Sequence, residues 1–156
     1  MSRDLIERAA LRFPNDHFFE DILFHSMAIA HAKSIEILTG AHHFTYFQRA
    51  LRPQITGGSG TTRFDILGTA RVTLQMFQMH PDFSNARQRS AVMIGVLRLL
   101  HWCEGTISAY HRHAFRLALR EILTSIDPLY LILPPDTPDP RNEKDRLLKF
   151  VEWVIE

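Results

Sequence analysis

A single cysteine, Cys103, stands among 156 residues, so no internal disulfide can form and nothing in the chain points to an oxidising compartment. No apolar stretch approaches the ~20 residues that a membrane-spanning helix needs. The N-terminus lacks the long apolar run of a signal peptide. Lysine is scarce too, with three against fifteen arginines. Internal repeats, low-complexity tracts and Asn-Gly hairpin signals are missing. These absences predict a soluble, intracellular protein, cytoplasmic by default. At this length one domain, residues 1–156, is expected, with a core sufficient to fold without staples.

Gly and Pro punctuate a chain that otherwise reads as helix. Ser2 is placed to cap a first helix through Arg12. A second helix is expected to run from about Asp16 to Thr39, with Gly40 at its C-cap. A short helix is expected over Ala41–Leu51, before Pro53. After the Gly57-Gly58-Ser59-Gly60 loop, Thr61 or Thr62 caps a helix to about Met79. Ser84 caps the next, to about Cys103. Gly105 separates it from a helix over Thr106–Ser125. Leu129 to Leu133 is an apolar run bounded by prolines. It is expected to lie extended on the helices, with no second strand for it to pair with. Asp139-Pro140 starts the last helix. The fold class is therefore an all-α bundle of about six helices, with one short extended apolar segment before the C-terminal helix.

Charge is segregated along this chain. Between Gly40 and Ser125, ten arginines face four acids (Asp65, Asp82, Glu104, Glu121). Both ends are acidic, and the whole chain carries +1. The sharpest feature is Arg112, Arg116 and Arg120, three arginines four apart, which repel by ~0.2–0.5 kcal/mol per pair on a helix. A helical wheel places them in an arc of about 80°, beside His113, with Ile107, Ala114, Ala118 and Ile122 opposite. The wheel therefore predicts an outward basic face. Arg87, Arg89 and Arg98 on the preceding helix extend it if the two helices pair antiparallel. Two things can relieve the repulsion: an anionic partner, or the chain's own acids at Asp136, Asp139 and Glu143.

Catalytic and metal signatures fail one by one. Nine histidines invite a metal reading. His17-x-x-Glu20 and Asp21/His25 are isolated pairs, His42-His43 and His111/His113 splay apart, and no His-Glu-x-x-His or cysteine cluster occurs. His101 is two residues from Cys103, a spacing that keeps the side chains apart on a helix, so the thiol reads as buried and inert. The Gly57–Gly60 loop ahead of a helix lacks the Gly-Lys-Ser/Thr ending of a phosphate-binding loop. No catalytic residue, metal or cofactor is assigned.

The stretch His80-Pro81-Asp82-Phe83-Ser84-Asn85-Ala86-Arg87-Gln88-Arg89 faintly resembles a degraded form of the Fic/Doc motif, His-Pro-Phe-x-Asp/Glu-Gly-Asn-Gly-Arg. The resemblance implies that His80 is the general base and that Asn85 and Arg87 belong to a phosphate-binding loop. Both glycines are replaced, the acid is out of register and the spacing is one residue short, which implies an inactive relic. A Pro-initiated turn ending in a Ser84 cap explains the same letters.

The function expected from these residues is a non-catalytic interaction or regulatory module of adaptor, inhibitor or immunity type. It would dock an acidic protein partner through Arg112, Arg116, Arg120, His113, Arg87, Arg89 and Arg98. The alternative is nucleic-acid binding, with Tyr110, Phe115 and Trp102 as stacking platforms. Self-association through residues 129–133 is also open.

Overall fold

Helix boundaries follow local capping more closely than they follow glycine or proline. The computed structural model describes residues 1–13, 18–36, 58–139 and 141–156. The helix expected over 41–51, the His42-His43 pair and His17 lie outside these. Six α-helices are present among the described residues: α1 (Arg3–Arg8), α2 (Glu20–His31), α3 (Asp65–Gln78), α4 (Ala86–Thr106), α5 (Ala109–Ser125) and α6 (Lys144–Ile155). Single 3-10 turns cover Thr61–Phe64, Pro81–Ser84 and Pro128–Leu131, and no strand occurs among the described residues.

Ser2 caps α1 as expected, its Oγ accepting the Leu5 amide at 3.3 Å. The helix stops at Arg8 instead of Arg12. Ala10 turns left-handed (φ 49°) and the Leu11 amide returns to the Ile6 carbonyl. This helix-ending reversal carries Leu11 into the protein. Likewise α2 ends at His31, before Thr39. Asn85, not Ser84, caps α4: its Oδ1 accepts the Arg87 and Gln88 amides at 3.1 and 3.3 Å. Gly105 does not separate α4 from α5. A Cβ there would meet nothing within 4 Å, so the helix passes through it to Thr106. The chain turns instead at Ile107–Ser108, where the buried Ile107 side chain is extended in backbone. The Ser108 amide bonds the Ser59 carbonyl at 2.8 Å and so holds the glycine loop.

The apolar run before α6 begins as the 3-10 turn Pro128–Leu131, capped by Asp127, and continues without helix from Ile132. Tyr130 anchors it: the ring is buried and its hydroxyl donates to the Leu74 carbonyl at 2.6 Å. Leu129 and Ile132 stay exposed. Asp139 is not the N-cap residue expected, since α6 starts at Lys144 after Glu143, yet its carboxylate reaches the helix start. Its Oδ2 accepts the Lys144 amide at 2.7 Å.

The helices bury one main core and one smaller one. Met93, Leu97 and Leu100 of α4 sit at the centre of the main core with Leu74, Phe77, Phe115, Leu119 and Leu147. Leu5, Leu11, Phe24, Met27 and Ala28 form a separate cluster between α1 and α2. This α1–α2 layer docks on the main bundle, the six helices together making one compact domain.

Candidate functional site

The orientation of α5 decides what the arginine stripe can do. Its buried residues are Phe115, Leu119, Ile122 and Leu123, an i, i+4, i+7, i+8 line. Ala114 is exposed and Ala118 only partly covered, so the large side chains, not the alanines, define the inner face. Arg112 and Arg116 border that inner face, and Arg120 stands one step further out. Tyr110, His113, Ala114, Leu117, Arg120 and Glu121 are exposed.

Glu104, in the last turn of α4, is buried and receives two of the arginines. Arg116 meets its Oε1 through Nε at 2.8 Å and Nη2 at 2.7 Å. Arg112 Nε lies 3.9 Å from the same oxygen, and its Nη2 donates to the Ile107 carbonyl at 3.2 Å. One face of the Arg116 guanidinium is covered by the Trp153 ring at 4.2 Å, a cation–π contact from α6. Arg120 reaches the Glu156 main-chain carbonyl at 3.4 Å. The repulsion expected along the stripe is thus relieved largely by one carboxylate between two cations. Arg112 and Arg116 keep 38% and 40% of their side chains in solvent. Trp153, against Arg116, is 47% exposed, and Leu117 and Tyr110 on the outer side of α5 are 56% and 89% exposed.

The other expected arginines have different fates. Arg89 is buried and lies inside the fold: its Nε donates to the Leu129 carbonyl at 3.0 Å and its Nη1 to the Phe83 carbonyl at 2.7 Å. It ties two 3-10 turns to α4 and is not available to a partner. Arg98 pairs with Glu143, which also holds Arg146. Arg87 is exposed, with Asp136 at 3.8 Å. His113 is exposed on α5. Of the tail acids, Asp136 and Glu143 therefore meet arginines, while Asp139 serves as a cap. The backbone amides of Glu143 and Lys144 hold its carboxyl below the usual range.

Among the stacking candidates only Tyr110 is fully presented. Phe115 is in the core. One face of Trp102 is covered by Arg63 at 3.9 Å. Arg63, a residue with no obvious signal in the sequence, is itself buried and bonds the Gly58 carbonyl at 2.8 Å. Trp153 was also missed. Its signal was its spacing of three from Phe150 on an amphipathic helix, which places it at the edge of the buried stripe.

The residues matched to the Fic/Doc motif do not converge on a site. His80 Nδ1 accepts the Asp82 amide and its ring stacks on Phe77. Asn85 is the α4 cap and Arg87 points toward Asp136. Open cavities of about 360 Å³ between α2 and α4 and about 410 Å³ between α2 and the N-terminus are lined by neither His80 nor Asn85. No group of three metal-ligating side chains is assembled among the described residues. No described helix is long and apolar enough to cross a membrane.

Cys103 is buried, 3.9 Å from an Arg63 guanidinium nitrogen. Burial pushes its thiol up to about 11 despite that cation. At about pH 8 only about one thiol in a thousand is then ionised. A thiol-reactive disulfide reagent is expected to label native protein only at the rate of local opening, and unfolded protein within seconds. Fast native labelling would contradict the burial.

No protein-family model, curated protein or solved structure matches this chain.

Proposed function

We propose that the chain is a non-catalytic protein-interaction module, of adaptor, inhibitor or immunity type, whose contact face is the ridge where α5 meets α6. The partner surface it takes is acidic and apolar. One observation carries this reading: Arg112 and Arg116 lie against one buried carboxylate, Trp153 stacks on Arg116 and stays exposed, and Arg120, Leu117 and Tyr110 are exposed on the same helix. Glu104 fixes the geometry of Arg116 and the Ile107 carbonyl that of Arg112, so less rotamer entropy is lost when they meet a second carboxylate. Aromatic and arginine side chains grouped this way carry most of the affinity in protein interfaces. The long-range field of the basic segment speeds encounter with an acidic surface.

Binding is tested by fluorescence anisotropy with a labelled peptide rich in Asp and Glu and interspersed with Leu and Phe. RNA and duplex DNA serve as rivals from about 50 to about 300 mM salt. The reading predicts peptide binding that weakens about tenfold in Leu117→Ser/Trp153→Ala, a loss of about 1.4 kcal/mol. Unchanged peptide affinity in that variant removes the ridge. Nucleic-acid binding that falls steeply with salt, without peptide binding, replaces the reading with the nucleic-acid one.

A further inference from the structure

We propose that the α5–α6 ridge of one copy docks in an acidic trough along α2 of a second copy, so that the chain associates with itself head to tail. This rests on the ridge being the contact face, and it supplies the acidic, apolar surface that the ridge takes.

The two open cavities beside α2 make the trough. They share His25 and Ile29 and so form one continuous depression. Its α4 wall is apolar, with Val92, Gly95 and Leu99. Gly95 sets that wall back. It weakens the middle of a long helix, yet a Cβ there would meet nothing within 4 Å. Packing therefore does not demand the glycine, while the open trough benefits from it. Met1, Ile29 and Ile35 stand exposed around the depression. Grouped apolar side chains of this kind, edged by polar ones, mark interaction surfaces.

Charge names the occupant. Asp21 lines one of the joined cavities and Glu36 the other, and both are exposed. The α1 acids Asp4 and Glu7 are already held by Arg8 and Arg3. Glu20, Asp21 and Glu36 have no ion pair among the described residues, and Lys33 is the one lysine or arginine over residues 18–36. The ridge is the complement. Its apolar knobs, Leu117 and Trp153, stand beside Arg116 and Arg120, while Glu121 and Glu152 lie further round their helices. A ridge set on a ridge would bring arginine against arginine, and a trough on a trough acid against acid. Contact between copies is therefore heterologous. Within one chain the two faces do not meet. On α4, His101 and Glu104 turn toward α6 and α5, and Gly95 and Leu99 toward the trough.

Sedimentation velocity of the full chain tests this from about 5 to about 300 μM, a range that reads dissociation constants near 100 μM. At about 50 mM salt the sedimentation coefficient is expected to rise with concentration, and at about 300 mM to rise less. Two variants split the interface. Leu117→Ser/Trp153→Ala removes the knobs of the ridge, and Asp21→Lys/Glu36→Lys reverses the charge of the trough. Each alone is expected to stay monomeric. A mixture of the two is expected to form a dimer through its one intact ridge and one intact trough. Gly95→Leu, whose side chain would fill the trough, is expected to act as the lysine pair does, and replaces it should that pair lose native helicity. A wild-type chain that stays monomeric, association that survives in both variants, or a mixture that gives no dimer overturns the proposal. The labelled acidic peptide separates this from failure of the ridge itself. Peptide bound by a wild-type chain that stays monomeric removes the second copy and leaves the ridge; neither binding nor association removes both.

Discussion

Glu104→Gln is expected to lower stability by about 2–3 kcal/mol, read by urea denaturation, with a fall in Tm of roughly 5–10 °C. The carboxylate is buried and touches Arg116 through two guanidinium nitrogens, with Arg112 nearby. Removing one partner of a fully buried pair costs 3–5 kcal/mol in other proteins, chiefly because an uncompensated charge is left behind (~3–5). Here both arginines are partly in water, which screens the exposed side of the network and lowers the figure. Glutamine can still accept one hydrogen bond but cannot neutralise two cations. Glu121→Gln, on the solvent face of the next helix, should change stability by no more than about 0.5 kcal/mol. Equal effects of the two would show that Glu104 does not organise the stripe. Reversing Arg112 and Arg116 to Glu would set two acids against the buried Glu104 and is expected to separate α4 from α5 before any partner binds.

Arg89→Leu is expected to cost about 2–4 kcal/mol, although leucine suits a buried site. Arg89 is 7% exposed, and its two hydrogen bonds satisfy carbonyls of separate turns. Leucine would take the guanidinium donor from the Phe83 carbonyl, leave the Leu129 carbonyl with the longer bond from the Ile132 amide at 3.3 Å, and remove the guanidinium that lies 5.4 Å from the Phe83 ring. Lysine should recover less than half of the loss, because a single ammonium does not reproduce the planar fork that serves two directions. Arg87→Ala, two residues earlier, should fall within about 0.5 kcal/mol of wild type, since its Asp136 contact is long and open to water. Urea midpoints of the four proteins measure this directly. A mild Arg89→Leu would mean that the Pro81–Ser84 and Pro128–Leu131 turns hold their places without it.

The helical class and much of the element order were legible in the chain because apolar periodicity and caps agree with tertiary packing for most of its length. Ser2 and Asp127 each do locally what their residue type favours. Boundaries were less legible. Gly105 reads as a break, yet a helix tolerates glycine at a cost of about 1 kcal/mol where packing favours continuation. Asn85 outcompetes Ser84 because the Pro81–Ser84 turn engages Ser84 with the Pro81 carbonyl. The arginine positions were visible but their environment was not. The wheel's inner face holds for Ile107 and Ile122, but Ala114 and Ala118 were set where Phe115, Leu119 and Leu123 pack. Arg89 and Arg98 look alike in sequence, yet one meets main-chain carbonyls and the other Glu143, forty-five residues away. Such long-range pairing has no local signature. Trp153 joins Arg116 only because α6 folds back beside α5.

Mapping the acidic peptide onto the protein by amide chemical shifts tests the central claim most directly. The account predicts shifts concentrated at Tyr110, His113, Leu117 and Arg120 of α5 and around Trp153 of α6, saturating with one midpoint. Shifts confined to the α2–α4 cavity around Ile22, His25 and Val92, or none at any concentration that leaves the protein folded, would contradict it.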